Sequence, residues 1–465
     1  MAENTDNRSE LIETVNMFEQ MLEEDRFSFF TEQTFEKLIE HYHYQNLNDK
    51  ALKVCEVALE QHPFSLEIIL QKANILSLNG NYSDAFRAIS KAETLYPYDT
   101  ELLLLKGNMH AMAGNYKEAI DSFETVLPNA QEKDEVLYSI GFAYQTMGKV
   151  ELASKYYMEA LKHNMANEDA VYELAFCMES TDRKEKVISF FEKIIDNDPY
   201  AAMAWYNLGI IYNKLGDFKK AQDAFEYATI IDNQFGAAYF GRGNALMNTE
   251  NYSDAFQSFK KALEFEGPDA ELYCYLGAAS EKLDDFHQAL QYYKMSIDED
   301  EEYDDAWYGM GSVLFIQEKW MEAVHFLRKA IELNEYNDDY WLTLAEAESN
   351  LGNDHSAIEA FEKACAINPD NHEIWLKWAL FYYGIDEPDQ ALNIILEGLE
   401  ELPDQIELVY SACAYCFASG KFQEGYHYLE MGIIIDYDKH TLLYDFFKDL
   451  ETRKAIARFI NKIKD

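Results

Sequence analysis

The sequence predicts an all-α chain built as a tandem stack of antiparallel helix pairs. Small residues recur at a fixed 34-residue period, and within each period apolar residues fall at helical spacing in two blocks separated by a turn. Only 8 prolines and 20 glycines occur in 465 residues, too few for several loop-rich or all-β domains. With 48% hydrophobic and 15% aromatic residues the chain can bury a large core, which argues against wholesale disorder.

The period is carried by two registers. One reads Ala51, Ala85, Ala119, Ala153, Val187, Ala221, Ala255, Ala289, Ala323, Ala357, Ala391 and Gly425 without an insertion. The other lies twelve residues upstream, Ile39, Ala73, Gly107, Gly141, Ala175, Gly209, Gly243, Gly277, Gly311, Ala345, Ala379 and Cys413, and is small in all but the first. Starting each repeat seven residues before this second register places twelve repeats over residues 32–439, with a segment 1–31 before them and 440–465 after.

Within a repeat, the first helix carries residues such as Trp205, Leu208, Gly209 and Tyr212, and the second carries Ala221, Phe225 and Ala228. The turn between them holds glycine in half the repeats, at Gly80, Gly114, Gly148, Gly216, Gly352 and Gly420, where a left-handed residue would end the first helix. Pro63, Pro97, Pro199, Pro369 and Pro403 mark the end of second helices, which they cannot continue. Small residues let helix axes approach, and Trp205, Trp307, Trp341 and Trp375, at one equivalent position, supply bulky apolar contact nearby. A single pair cannot bury its apolar faces, so the pairs must stack.

The pattern W-x2-L-G-x2-Y, then A-x3-F, then P, at a 34-residue period, resembles the tetratricopeptide repeat (TPR) family. Trp205, Leu208, Gly209 and Tyr212 match the first part, Ala221 and Phe225 the second, and Pro199 closes the preceding repeat. The resemblance covers the twelve repeats. Lys72, Lys106 and Arg242 depart from it where the pattern has Leu, Phe35 and Val409 replace Trp, and Val187 and Gly425 replace Ala. It implies a right-handed α-solenoid, or superhelix, whose inner wall is lined by the first helix of each repeat and binds protein segments.

A stack of repeats has two raw apolar ends that terminal helices must cover. Residues 9–24 suit an N-terminal cap, with Leu11, Val15, Phe18 and Leu22 on one face, followed by Phe27, Phe29 and Phe30 leading into the first repeat. At the other end Leu442, Leu443, Phe446, Phe447 and Leu450 begin like a thirteenth repeat, but Phe447 occupies a small-residue position and would end the array. The last 26 residues hold six basic residues, Lys448, Arg453, Lys454, Arg458, Lys462 and Lys464, against four acidic ones.

On the inner wall implied by the resemblance, the fifth residue of each repeat faces inward. Tyr138, Tyr172, Tyr206, Phe240 and Tyr308 hold that position, and Phe142, Phe176 and Ile210 lie four residues after the first three. Such a wall could take an extended or helical peptide by burying its apolar side chains. The same tyrosines equally suit packing between repeats. The second residue is acidic in nine of twelve repeats, Glu135, Asp169, Glu271 and Asp305 among them. A carboxylate there is favoured by the helix dipole, and the ladder would also give the groove a negative rim that steers basic segments.

Charge bounds the partners further. With 85 Asp+Glu against 39 Lys+Arg the formal net charge is −46, which argues against nucleic acid and anionic membranes. No secretory signal or membrane-spanning stretch is read, so a cytoplasmic protein with reduced thiols is expected. The acidic run 298–305 fails as a calcium loop, since its sixth position is Tyr303 and its twelfth is Gly309, and reads as a solvated loop. Cys413 and Cys416 form a lone CxxC with no second pair for zinc, and His41 and His43 lie on different helix faces. No phosphate loop, HExxH, GxSxG or paired-carboxylate pattern occurs, and the repeats and caps consume the chain. Neither catalysis nor a metal or cofactor is expected.

The leading functional reading is a non-catalytic scaffold holding a basic or apolar protein segment in the groove. Some TPR proteins bind acidic C-termini through a cationic clamp, but the inward positions here offer few cations, Lys214 and Lys282, so that property is not carried over. Two other readings stay open: a peptide- or ligand-sensing regulatory protein whose superhelix tightens on binding, and a self-assembling structural protein. The sequence leaves the oligomeric state open.

Overall fold

The computed structural model describes residues 12, 14–22, 28–179 and 184–446. All regular structure among them is helical, with no strand. A short helix α1 (14–22) precedes twelve helix pairs. The chain divides into two compact bodies, one up to Asp232 and one from Asn233.

In the N-terminal body the first helices of successive repeats are α2 (Glu32–Tyr44), α4 (Leu66–Leu78), α6 (Thr100–Met112), α8 (Lys133–Thr146), α10 (Glu168–Glu179) and α12 (Ala202–Lys214). Their second helices are α3 (Asn48–Gln61), α5 (Tyr82–Leu95), α7 (Tyr116–Val126), α9 (Val150–His163), α11 (Lys184–Asn197) and α13 (Phe218–Ile231). The C-terminal body repeats the arrangement, with first helices α14 (Gly236–Asn248), α16 (Ala270–Lys282), α18 (Asp304–Ile316), α20 (Asp338–Asn350), α22 (His372–Gly384) and α24 (Ile406–Ala418). These alternate with α15 (Tyr252–Glu266), α17 (Phe286–Glu299), α19 (Trp320–Leu333), α21 (Asp354–Ile367), α23 (Pro388–Glu401) and α25 (Phe422–Ile435).

Within each body every second helix packs on the first helix of the next repeat. Most successive first helices also touch one another, whereas successive second helices share no comparable contact among the described residues, so the first helices occupy the more tightly packed side.

Local chemistry sets the helix ends. Thr31, Ser65 and Asp99 cap first helices by accepting the backbone N–H of Thr34, Ile68 and Leu102 through their side chains. Each second helix ahead of Pro63, Pro97, Pro199, Pro369 and Pro403 stops two residues short of the proline. The turn inside each repeat is more uniform than its glycines suggest. The six predicted glycines have φ between 72° and 77°, and Asn46, Glu250, Asp284, Glu318 and Asp386 hold the equivalent place with φ between 57° and 65°. Every described turn therefore uses a left-handed residue, whether or not that residue is glycine.

Both small-residue registers are buried throughout, with the alanines of the first register at 0% exposure. The second register meets a specific neighbour. A Cβ added at Gly107, Gly141, Gly209, Gly243 or Gly277 would sit 2.4 to 2.7 Å from the ring of Phe123, Tyr157, Phe225, Phe259 or Tyr293, respectively. Glycine on the first helix thus admits the aromatic ring of the second, and the two positions are one packing device.

At the N-terminal end Phe18 is buried against Phe30 and Phe35, with ring centroids 6.1 and 6.4 Å away. Met21 is buried and Leu22 exposed, which corrects the predicted apolar face: the buried stripe continues from Phe18 to Met21 at i+3, not to Leu22 at i+4. Val15 is half-buried and Phe29 exposed, and Leu11 and Phe27 lie outside the described residues. At the other end a 3-10 turn (Asp438–Thr441) leads into α26 (Leu442–Phe446), where Leu443 is buried and Phe446 packs on Tyr383 and Tyr415. Phe447, Leu450 and the six basic residues of the last segment lie outside the described residues.

Candidate functional site: an exposed aromatic wall with an acidic rim

The residues expected on the inner wall fall in both bodies and are treated differently by their neighbours. In the N-terminal body, α8 carries Tyr138 and Phe142, and α10 carries Tyr172 and Phe176. Phe142, Tyr172 and Phe176 are 44, 51 and 54% exposed, and Tyr138 is half-buried. Tyr138 and Phe142 stack with centroids 6.4 Å apart, one helical turn from each other. The exposed surface stops there. On α12, Tyr206 and Ile210 are 9 and 8% exposed, and the Tyr206 ring lies 5.8 Å from Phe225, the ring that Gly209 admits.

A polar network fixes the floor between these helices. Tyr157 donates from its hydroxyl to Gln145 Oε1 at 2.9 Å, Cys177 donates its thiol to the same oxygen at 3.3 Å, and Gln145 Nε2 donates to the Glu173 carboxylate. Gln145, Glu173, Tyr172 and Phe176 then line a cavity of about 300 Å³ with Lys214. Neither Gln145 nor Glu173 was singled out from the sequence: no one residue type recurs through the repeats at those places, so periodicity gives no signal for them.

The acidic positions surround this wall. Burial raises the proton affinity of Glu135, and the charges of Asp134, Glu132 and Asp169 raise it further. Tyr138 is likewise pushed up by burial and then by Asp169, Glu173 and Glu135. Asp134 is occupied structurally, because Asn164 and Asn167 donate to its Oδ2 at 2.8 and 3.1 Å. The aromatic side chains therefore sit in a negative field, with Lys214 as the cation lining the cavity beside Tyr172 and Phe176.

In the C-terminal body the expected wall residues are engaged by other rings. Phe240 lies 5.8 Å from Phe259 and 5.1 Å from Tyr275, and Tyr308 stacks on Tyr340 at 4.7 Å. Asp305 accepts the Tyr340 hydroxyl at 2.6 Å, so this rim carboxylate also serves packing. Glu271 has its proton affinity raised by burial and by the charges of Asp269 and Asp305. Cys413 and Cys416 are fully buried, and burial pushes the Cys416 thiol up to about 11 and Cys413 higher still. Thiols in that state are poor nucleophiles and poor ligands.

Family models described as tetratricopeptide repeat match residues 70–133, 134–164, 202–235, 236–267 and 338–381. The chain belongs to the tetratricopeptide repeat family. No curated protein matches its sequence. Several solved structures are similar to this TPR protein. The hetero-tetramer of Cut9 and Hcn1 from the APC/C matches at 17% identity and a TM-score of 0.41, over 86% of this chain and 98% of that one. YrrB, described as a TPR protein with an unusual peptide-binding site, matches at 24% identity and a TM-score of 0.33, over 40% and 95%. MamA matches at 22% and 0.33, over 37% and 94%. Among the described residues of this TPR protein no helix is long and apolar enough to cross a membrane.

Proposed function

We propose that this TPR protein is a non-catalytic interaction scaffold of the cytoplasm that holds a basic or apolar protein segment against the aromatic wall of α8 and α10. The observation that carries this reading is the exposure of Phe142 on α8 and of Tyr172 and Phe176 on α10, which packs against it, in a chain whose other inward positions are mostly covered by packing. Adjacent exposed aromatic rings are the kind of anchor that dominates binding energy at interfaces. The rim carboxylates Glu135 and Asp169 favour a cationic flank on the bound segment, and Lys214 gives the cavity beside Phe176 a place for a carbonyl or carboxylate. Six buried cysteines, none of them in a disulfide, suit a reducing compartment.

The test is affinity capture from a native extract with the full chain, comparing the wild type with the double variant Tyr172→Ala, Phe176→Ala. These side chains are half exposed, so the variant should fold and melt nearly as the wild type does. Partners should be lost on the double variant; on the wild type they should weaken with added salt, and on Glu135→Gln, Asp169→Asn they should bind more weakly and depend less on salt. An unchanged set of partners on the aromatic variant would rule out the wall as the binding surface.

A further inference from the structure

A second groove lies on the other side of the N-terminal body and has the opposite electrostatic character. It runs between the second helices α3 and α5, over the first helix α4, and measures about 670 Å³. The same groove recurs four repeats later between α11 and α13 over α12, where it measures about 340 Å³. The two differ at their floors. Trp205 and Leu208 fill the smaller groove, whereas the equivalent places in the larger one are Ile69 and Lys72.

Lys72 stands where the repeat pattern has Leu, and it is half-buried. Two other repeats also place a cation there, and both use it internally: Lys106 pairs with Glu93 at 2.6 Å, and Arg242 donates to Ser258 Oγ at 3.3 Å. Lys72 has no ion pair or hydrogen bond for its ammonium group among the described residues. The acids of its groove are already taken, Glu56 by Lys53 and Asp84 by Arg87, each at 3.0 Å. Lys72 and Lys91 therefore present unanswered positive charge within an apolar trough, in a chain of net charge −46. A leucine would serve the fold better, because a half-buried cation without a partner costs desolvation.

We infer that this groove docks an acidic amphipathic helix of a protein partner. The floor reads Ile69, Lys72, Leu76 along one face of α4, with Leu52 and Leu59 on the wall. That order asks for two apolar side chains about two helical turns apart with a carboxylate between them. The apolar ends bury against the leucines and the carboxylate closes the charge on Lys72. This surface is separate from the aromatic wall and does not depend on the wall's role.

A displayed library of helical peptides decides it, with two leucines fixed seven residues apart and the positions between them randomised, selected on the full chain. Selected peptides are then titrated by fluorescence anisotropy. Recovered sequences should carry Asp or Glu between the leucines, and Lys72→Leu should weaken them at least about tenfold while leaving the thermal midpoint unchanged or higher. Tyr172→Ala, Phe176→Ala should leave their affinity intact. Recovery of no binder, of binders without an acidic preference, or of binders indifferent to Lys72→Leu overturns the inference, as does loss on the aromatic variant.

Discussion

Glu318 is held at φ 60°, in a left-handed conformation that an L side chain adopts only at a cost, because the turn between its two helices requires it. Glu250, Asp284 and Asp386 share the same strain. At the equivalent Gly216 and Gly352 an added Cβ would meet nothing within 4 Å, so the cost is conformational rather than steric crowding. Glu318→Gly should therefore stabilise the C-terminal body by about 1 kcal/mol, the left-handed penalty less the entropy that glycine adds to the unfolded chain. Urea denaturation would read the gain, and a loss would mean that the Glu318 side chain contributes more than its backbone costs. The six glycines made this turn legible in half the repeats. In the others the residue type is a poor guide, since Glu and Asp are tolerated there only because the surrounding helix pair demands the conformation. The same limit applies to Tyr206: its residue type matches Tyr172, but exposure is decided by whether a neighbouring ring such as Phe225 covers it.

At the level of the helix pair, the tryptophans do more than fill space. Trp205, Trp307, Trp341 and Trp375 each donate the indole N–H to the backbone carbonyl six residues upstream, on Pro199, Glu301, Glu335 and Pro369, at 2.9 to 3.1 Å. The ring packs within the stack while its polar edge ties the first helix to the incoming loop. Trp341→Phe keeps an aromatic ring and removes the donor, leaving the Glu335 carbonyl to water. A loss of about 1 kcal/mol is expected, together with faster amide exchange in the loop before α20 than in α20 itself. Uniform acceleration along the helix would instead point to lost packing. The position of these residues was readable from the period, and their bulk from their type, but the hydrogen bond needed the loop geometry. The ends of the helices were more fully legible, because proline and capping side chains act within a few residues of themselves.

Across the whole molecule, acidity is a standing load on the fold. Glu36 and Glu135 in one body, and Glu271 and Asp339 in the other, have raised proton affinity through burial and then through neighbouring carboxylates. A carboxylate shifted upward favours the folded state most when protonated. The contribution of these three glutamates is full below their ordinary value of 4.5 and disappears as pH climbs through the raised one. Asp134 and Asp217 act in the opposite sense: hydrogen bonds hold them below 3.8, and their contribution is lost on acidification past that point. At low ionic strength the thermal midpoint should rise as pH falls from neutrality towards the ordinary glutamate value of 4.5 and drop again on acidification past the ordinary aspartate value of 3.8, with salt raising it most at neutral pH. A midpoint that does not rise between neutrality and pH 4.5, or that salt lowers, would show that carboxylate repulsion is not limiting. Composition announced this load, and the period placed Glu135, Glu271 and Asp339 at one position of the repeat, but only the structure separates carboxylates already bonded, such as Asp134, from those left to repel. The buried cysteines add a different use for the array. Cys55 and Cys177 lie in the N-terminal body and Cys274, Cys365, Cys413 and Cys416 in the C-terminal one, all sealed from solvent. Their accessibility to an alkylating reagent is thus a built-in gauge of which repeats open first, five separate stations along the chain that need no engineered label.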